Sequence, residues 1–154
     1  MKNGKMKMIN VYEGWKKEGI ARIPRVDRVD IQDFRIIQEA HIEFGPKLNI
    51  IIGRAGGGKT SVLEYLIKSL NLEELSIGKQ IEFQIQQEIN PGCFLIDDLL
   101  CRFSQKDILR ILKDLECCGR QVIVTLHWER LKDIKDKINA KIINMDDFKL
   151  KVDY

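Results

Sequence analysis

From residue 28 onward, short apolar runs alternate with stretches of helical periodicity. Val29, Ile31 and Phe34, and then Ala40, Ile42 and Phe44, predict two half-buried strands. Gly45-Pro46 supplies a turn, and LNIII at residues 48–52 is a near-continuous apolar run suited to a strand buried on both faces. Over residues 59–70, Val62, Leu63, Leu66, Ile67 and Leu70 share one helical face. CFLID at residues 93–97 predicts a second buried strand. It leads into a helix opening at Ser104, whose S-x-x-D spacing to Asp107 resembles a capping box, with Gly119 at its far end. QVIVTL at residues 121–126 is a third buried strand, followed by a short charged helix over 128–138. The run AKIINM-DD-FKLKV then predicts a terminal hairpin turning at Asp146-Asp147. Residues 77–89 fit two patterns. Ile77, Ile81, Ile85 and Ile89 recur every four residues as on a helix, the preferred reading, whereas Ile81, Phe83 and Ile85 alternate as on a strand. Strands separated by helices predict an α/β layered domain.

Composition narrows the class. At 154 residues, with 44% hydrophobic and 32% charged positions, the chain fits one globular domain and not a disordered one. No apolar run approaches the ~18 residues that span a bilayer, and the N-terminus lacks the apolar stretch of a secretory signal. The expectation is a cytoplasmic protein without membrane insertion. The net charge of +3 conceals an asymmetry, since residues 1–28 carry eight Lys/Arg against three Asp/Glu. The chain therefore divides into a basic N-terminal extension, residues 1–27, and a single domain, residues 28–154. A basic arm of this kind is either a solvated terminus or an electrostatic footprint for nucleic acid. Cys93, Cys101, Cys117 and Cys118 form no C-x-x-C pair and are read as reduced thiols.

The chemistry concentrates in Gly53-Arg54-Ala55-Gly56-Gly57-Gly58-Lys59-Thr60, which satisfies G-x-x-x-x-G-K-[ST] between an apolar strand and an amphipathic helix. Glycines let such a loop curl around phosphates at a helix N-terminus. Lys59 is expected to reach the β- and γ-phosphates of ATP and Thr60 to bind Mg²⁺, with Ser61 next to it on the helix. Arg54 is read first as solvent-facing and second as a phosphate contact. Asp97 and Asp98, after four apolar residues, supply a magnesium-holding carboxylate and a candidate general base. His127, just past a buried strand, is expected at the crevice that follows the carboxyl ends of parallel strands. There it would sense the γ-phosphate or cap the next helix. His41 carries no such expectation.

These motifs resemble the ATPase heads of the SMC and RecF proteins, relatives of the ABC transporter ATPases. The resemblance covers nearly the whole chain after residue 27. Asp33-Phe34-Arg35 is similar to the family's N-F-R-like turn, and Leu75-Ser76-Ile77-Gly78-Lys79-Gln80 to the L-S-G-G-Q signature. Asp97-Asp98 resembles the acidic Walker B pair, Thr125-Leu126-His127 the switch histidine, and residues 140–151 the closing hairpin. The resemblance implies a P-loop NTPase three-layer fold with a mostly parallel central sheet, N-terminal antiparallel strands and a C-terminal hairpin. It also implies that two heads pair head to tail, as a homodimer or with another ATPase chain, with Ser76 and Gly78 touching the γ-phosphate held by the partner's loop. Ser76 reads equally as a helix N-cap. Ile77 stands where the signature has its first Gly, Lys79 where it has Gln, and Asp98 where the usual catalytic residue is Glu. About 15 residues separate Thr60 from the signature, too few for coiled-coil arms or a helical subdomain. Slow turnover is therefore expected. Two other functions remain open: a non-hydrolysing module that uses ATP to bind DNA or a protein, and a helicase-loader-like AAA+ ATPase, suggested by LIDDLL.

Overall fold

The computed structural model describes residues 15, 17, 19–69 and 92–151. The expectations for residues 77–89 and for the signature lie outside the described residues. Among the described residues, eight strands form two sheets: β1 (Ile20–Ile23), β2 (Arg28–Phe34), β3 (Ile37–Glu43), β4 (Leu48–Gly53), β5 (Cys93–Ile96), β6 (Gln121–His127), β7 (Lys141–Asn144) and β8 (Lys149–Leu150). The central sheet has the order β1-β5-β6-β4-β7, with β5, β6, β4 and β7 mutually parallel and β1 antiparallel at one edge. The second sheet, β2-β3-β8, is antiparallel.

The predicted strands and helices form because their apolar patterns meet two faces of one sheet. Alternate residues of the parallel strands divide between two cores. Ile51, Leu95 and Ile123 face α1 (Lys59–Ser69) and the antiparallel sheet, in a cluster with Val62, Leu63, Ile31 and Ile42. Leu48, Ile50, Val122 and Val124 face α2 (Gln105–Glu116), in a cluster with Ile108 and Leu112. The result is the expected three-layer α/β architecture of a P-loop NTPase. The Ser104 cap forms as its spacing predicts, the hydroxyl accepting from the Asp107 N–H at 3.2 Å.

Three local expectations change. The C-terminal run is not a hairpin, because β7 enters the central sheet parallel to β4 and β8 pairs instead with β3. A 3-10 turn, Met145–Asp147, redirects the chain between them, with Asn144 Oδ1 accepting from the Asp146 N–H. The charged helix after β6 is one turn long, α3 (Trp128–Leu131), and a separate 3-10 turn follows at Lys135–Lys137. Part of the segment assigned to the basic extension is folded: β1 pairs with β5 from Ile20↔Ile96 to Ile23↔Cys93, and Trp15 is buried in the α1-side core.

Buried amides fix the amino ends of the parallel strands. Asn49 donates to the carbonyls of Gly45, Lys47 and Val122 and accepts from the Gly45 N–H. Gln121 donates to the carbonyls of Val26 and Gly45 and accepts from the Val26 N–H. These bonds fasten the connections on either side of the β2–β3 pair to the central sheet.

Candidate nucleotide site

The carboxyl ends of β4, β5 and β6 lie side by side because the strands are parallel and in register. Gly53 pairs with His127, and Ile96 with Val124, so Asp97 emerges next to Thr125. Residues 53–60 join β4 to α1 in the strand–loop–helix context the motif requires. A side chain would be tightly crowded at two of the loop glycines. A Cβ on Gly57 would sit 3.0 Å from the Arg54 carbonyl oxygen, and one on Gly58 would sit 3.2 Å from both Ile36 and Met145. Gly58 also has a φ of +94°, which disfavours any L side chain.

Lys59 is buried. Its ammonium donates to the carbonyls of Gly53 and Arg54, both at 2.9 Å, and one of its three N–H donors remains for a phosphate oxygen. Thr60 Oγ1 lies 3.0 and 3.1 Å from the two oxygens of Asp97, to which it donates. Thr125 Oγ1 donates to Asp97 Oδ1 at 2.7 Å and accepts from the Asp98 N–H at 2.9 Å. One network therefore joins the loop, both acids and the neighbouring strand. Burial pushes the Asp97 carboxyl above the usual carboxylate range. The Asp98 charge adds to this rise, and the two threonine hydroxyls and Lys59 oppose it. A divalent cation would reverse this bias, since it binds the ionised form. A hydroxyl and a carboxylate as hard oxygen donors beside a phosphate cradle fit Mg²⁺.

Asp98 has a left-handed backbone, with φ 59° and ψ 6°, a conformation that costs a non-glycine residue. Its Oδ1 accepts from the Cys101 thiol at 3.3 Å. A cavity of about 620 Å³ opens in front of the loop, and its walls include residues 55–61, Asp98, Cys101, His127 and Arg130. His127 lines the cavity, and its Nδ1 accepts from the Glu129 N–H at the start of α3, as its helix-capping reading expects. Arg54 is exposed, as its first reading had it. Ser61 lines the cavity, and Gly53 lies beneath it against Met145. Ser76 and Gly78 lie outside the described residues.

Three contributors escaped sequence reasoning. Thr125 passed as an ordinary β-branched strand residue, although a polar side chain in an apolar run beside an acid-ended strand was a usable signal. Arg130 and Cys101 were indistinct from their neighbours in sequence. His41 is exposed between Asp30 Oδ1 at 2.7 Å and Glu39 Oε2 at 2.8 Å, far from this chemistry.

Comparison with known proteins places the site in a family context. Residues 28–70 match the AAA domain family. The DNA replication and repair protein RecF of Shewanella pealeana is 30% identical over 115 residues, covering 75% of this chain and 27% of that protein. RecF of a Marinomonas species is 29% identical over 126 residues, covering 80% of this chain and 33% of that protein. RecF of Streptococcus thermophilus is 39% identical over 62 residues, covering 38% of this chain and 17% of that protein. The chain thus spans a third or less of the length of these relatives. No solved structure matches. Among the described residues no helix is long and apolar enough to cross a membrane.

Proposed function

We propose that this chain, which resembles the ATPase heads of the SMC and RecF families, binds MgATP and hydrolyses it slowly, as a cytoplasmic nucleotide-dependent switch in DNA replication or repair. The observation that carries the reading is the hydrogen-bonded series Thr60–Asp97–Thr125–Asp98 beside the loop lysine. It links Thr60 and Asp97, the candidate cation-holding pair, to Asp98, and Thr60, Asp98 and Lys59 line one cavity.

In this reading the loop backbone and Lys59 hold the phosphates, and Thr60 and Asp97 hold Mg²⁺. When bound, the ion neutralises charge on the phosphate oxygens. Asp98 orients a water and accepts its proton as the water oxygen bonds to the γ-phosphorus. The bond to the bridging oxygen breaks, and ADP leaves with that electron pair. His127 reads the terminal phosphate from the end of β6. The resemblance adds a head-to-tail dimer completed by Ser76 and Gly78, and the basic N-terminal segment is the proposed contact for nucleic acid.

Phosphate release measured with Lys59→Ala and Asp98→Asn tests the hydrolytic step. Both substitutions should abolish it, and a rate that neither changes overturns the step. Size-exclusion chromatography of Asp98→Asn with and without MgATP tests the dimer, which is expected only with nucleotide. DNA binding should weaken steeply with salt. Anisotropy that shows no binding with or without ATP removes the nucleic-acid role.

A further inference from the structure

We infer that Arg130 is a specificity-determining residue, a second cation that binds the terminal phosphate of a nucleoside triphosphate within the same chain. The inference rests on the nucleotide reading above and adds to it a discrimination between triphosphate and diphosphate.

Arg130 lies on α3, three residues past the end of β6, and lines the same cavity as Lys59. Among the described residues, the guanidinium is held by neutral groups. Nη2 donates to the Cys101 carbonyl at 3.0 Å, and Nη1 donates to Gln105 Oε1 at 3.4 Å. Gln105 in turn donates to the Arg130 carbonyl, so one side chain grips both ends of the residue. Among the described residues no carboxylate lies within salt-bridge distance of Arg130, although Asp98 and Glu129 line the same cavity.

This arrangement differs from that of a structural arginine. Arg35, for comparison, is paired with the buried carboxylate of Glu64. Arg130 is half-buried and aligned by two acceptors, and three of its five N–H donors remain for anionic oxygens. Its position also selects the phosphate. The Cys101 residue that anchors it through its carbonyl touches Asp98 through its thiol, so Arg130 belongs to the acid side of the cavity. The proposed mechanism puts the reacting phosphate on that side.

Titration calorimetry with MgADP and with magnesium and a non-hydrolysable ATP analogue tests the assignment on the full chain. Arg130→Gln should weaken the triphosphate about tenfold or more and the diphosphate less than about twofold, and Arg130→Lys should recover part of the preference. Phenylglyoxal modification of the wild-type chain, mapped by mass spectrometry, gives a second readout that needs no folded variant. The triphosphate should shield Arg130 and the diphosphate should not. Equal loss of both affinities in Arg130→Gln, or equal shielding by both nucleotides, overturns the assignment and leaves nucleotide binding intact. A wild-type chain that binds neither nucleotide overturns the nucleotide reading, and the role of Arg130 with it.

Discussion

The two ends of the central sheet bury polar groups on opposite terms. At the amino ends of the strands, Asn49 and Gln121 have every amide oxygen and nitrogen engaged by backbone groups, and the network is closed. At the carboxyl ends, Lys59 and Arg130 are held by neutral partners and keep donors unused, and Asp97 is ionisable in a place that disfavours its charge. Ion pairs among the described residues fall elsewhere, as at Arg35–Glu64 and Lys151–Asp33. A fully satisfied polar group stabilises its own surroundings. A charge anchored by neutral groups retains its attraction for a ligand. The same sheet thus has one end whose polar groups are closed on one another and one end whose charges keep unused hydrogen-bonding capacity.

Four substitutions test that division. The largest effect is expected for Gln121→Ala, which orphans the backbone groups of Val26 and Gly45 and should cost about 3 kcal/mol in a denaturant melt. Loss of stability at the nucleotide end of the sheet instead would break the comparison. Lys59→Ala should weaken MgATP about a hundredfold, roughly 2.7 kcal/mol, with a loss of stability smaller than that of Gln121→Ala, because a buried charge leaves together with its two bonds to carbonyls. A collapse of the fold in that variant would mean that the lysine serves the structure.

Asp97→Asn comes third. The folded Asp97 pKa is raised, so the native state holds its proton at pH values where the unfolded chain has lost it. Stability therefore falls as pH rises from the unfolded value near 3.8 through the raised folded one. Above that window Asn removes the burden, and the melting temperature without nucleotide should rise by about 2 °C while Mg²⁺-dependent binding is lost. A lower melting temperature at pH 8 would contradict the burial argument.

The smallest effect belongs to His41. Hydrogen bonds to Asp30 and then Glu39 raise its pKa, so its contribution is fully present below about pH 6.5 and disappears as pH rises through the raised folded value. His41→Gln should lower the melting temperature slightly at pH 5.5 and not at pH 8.5. Because the pair is fully exposed, the difference should shrink in added salt.

Much of this was legible because the parallel strands write themselves as unbroken apolar runs and the phosphate loop has a fixed spacing between strand and helix. The alternation in residues 28–44 gave the antiparallel pair, and Ser104 with Asp107 marked a helix start. What escaped was long-range pairing. A local reading of residues 140–151 favours a hairpin, since nothing nearby says that Lys141 pairs with Asn49 and Lys149 with Glu39. Thr125 gained its role from the strand beside it, and Arg130 from a cavity whose other walls lie far away in the chain. The charged stretch after His127 predicts a short helix, and nothing in its run of charges singles out Arg130.

The strand that carries the phosphate loop has a bearing on how the protein is made. Leu48 of β4 pairs with Val122, and Asn49 with Lys141, so neither neighbour of this strand exists when β4 itself is synthesised. The nascent β4, four of whose six residues are apolar, must wait for most of the remaining chain before its hydrogen bonds are met. Such non-local parallel pairing slows folding and prolongs exposure of sticky segments. The loop glycines that follow offer little β propensity and end the exposed run at Ile52. The glycine-rich loop thus also borders a segment prone to misassociate before the fold closes.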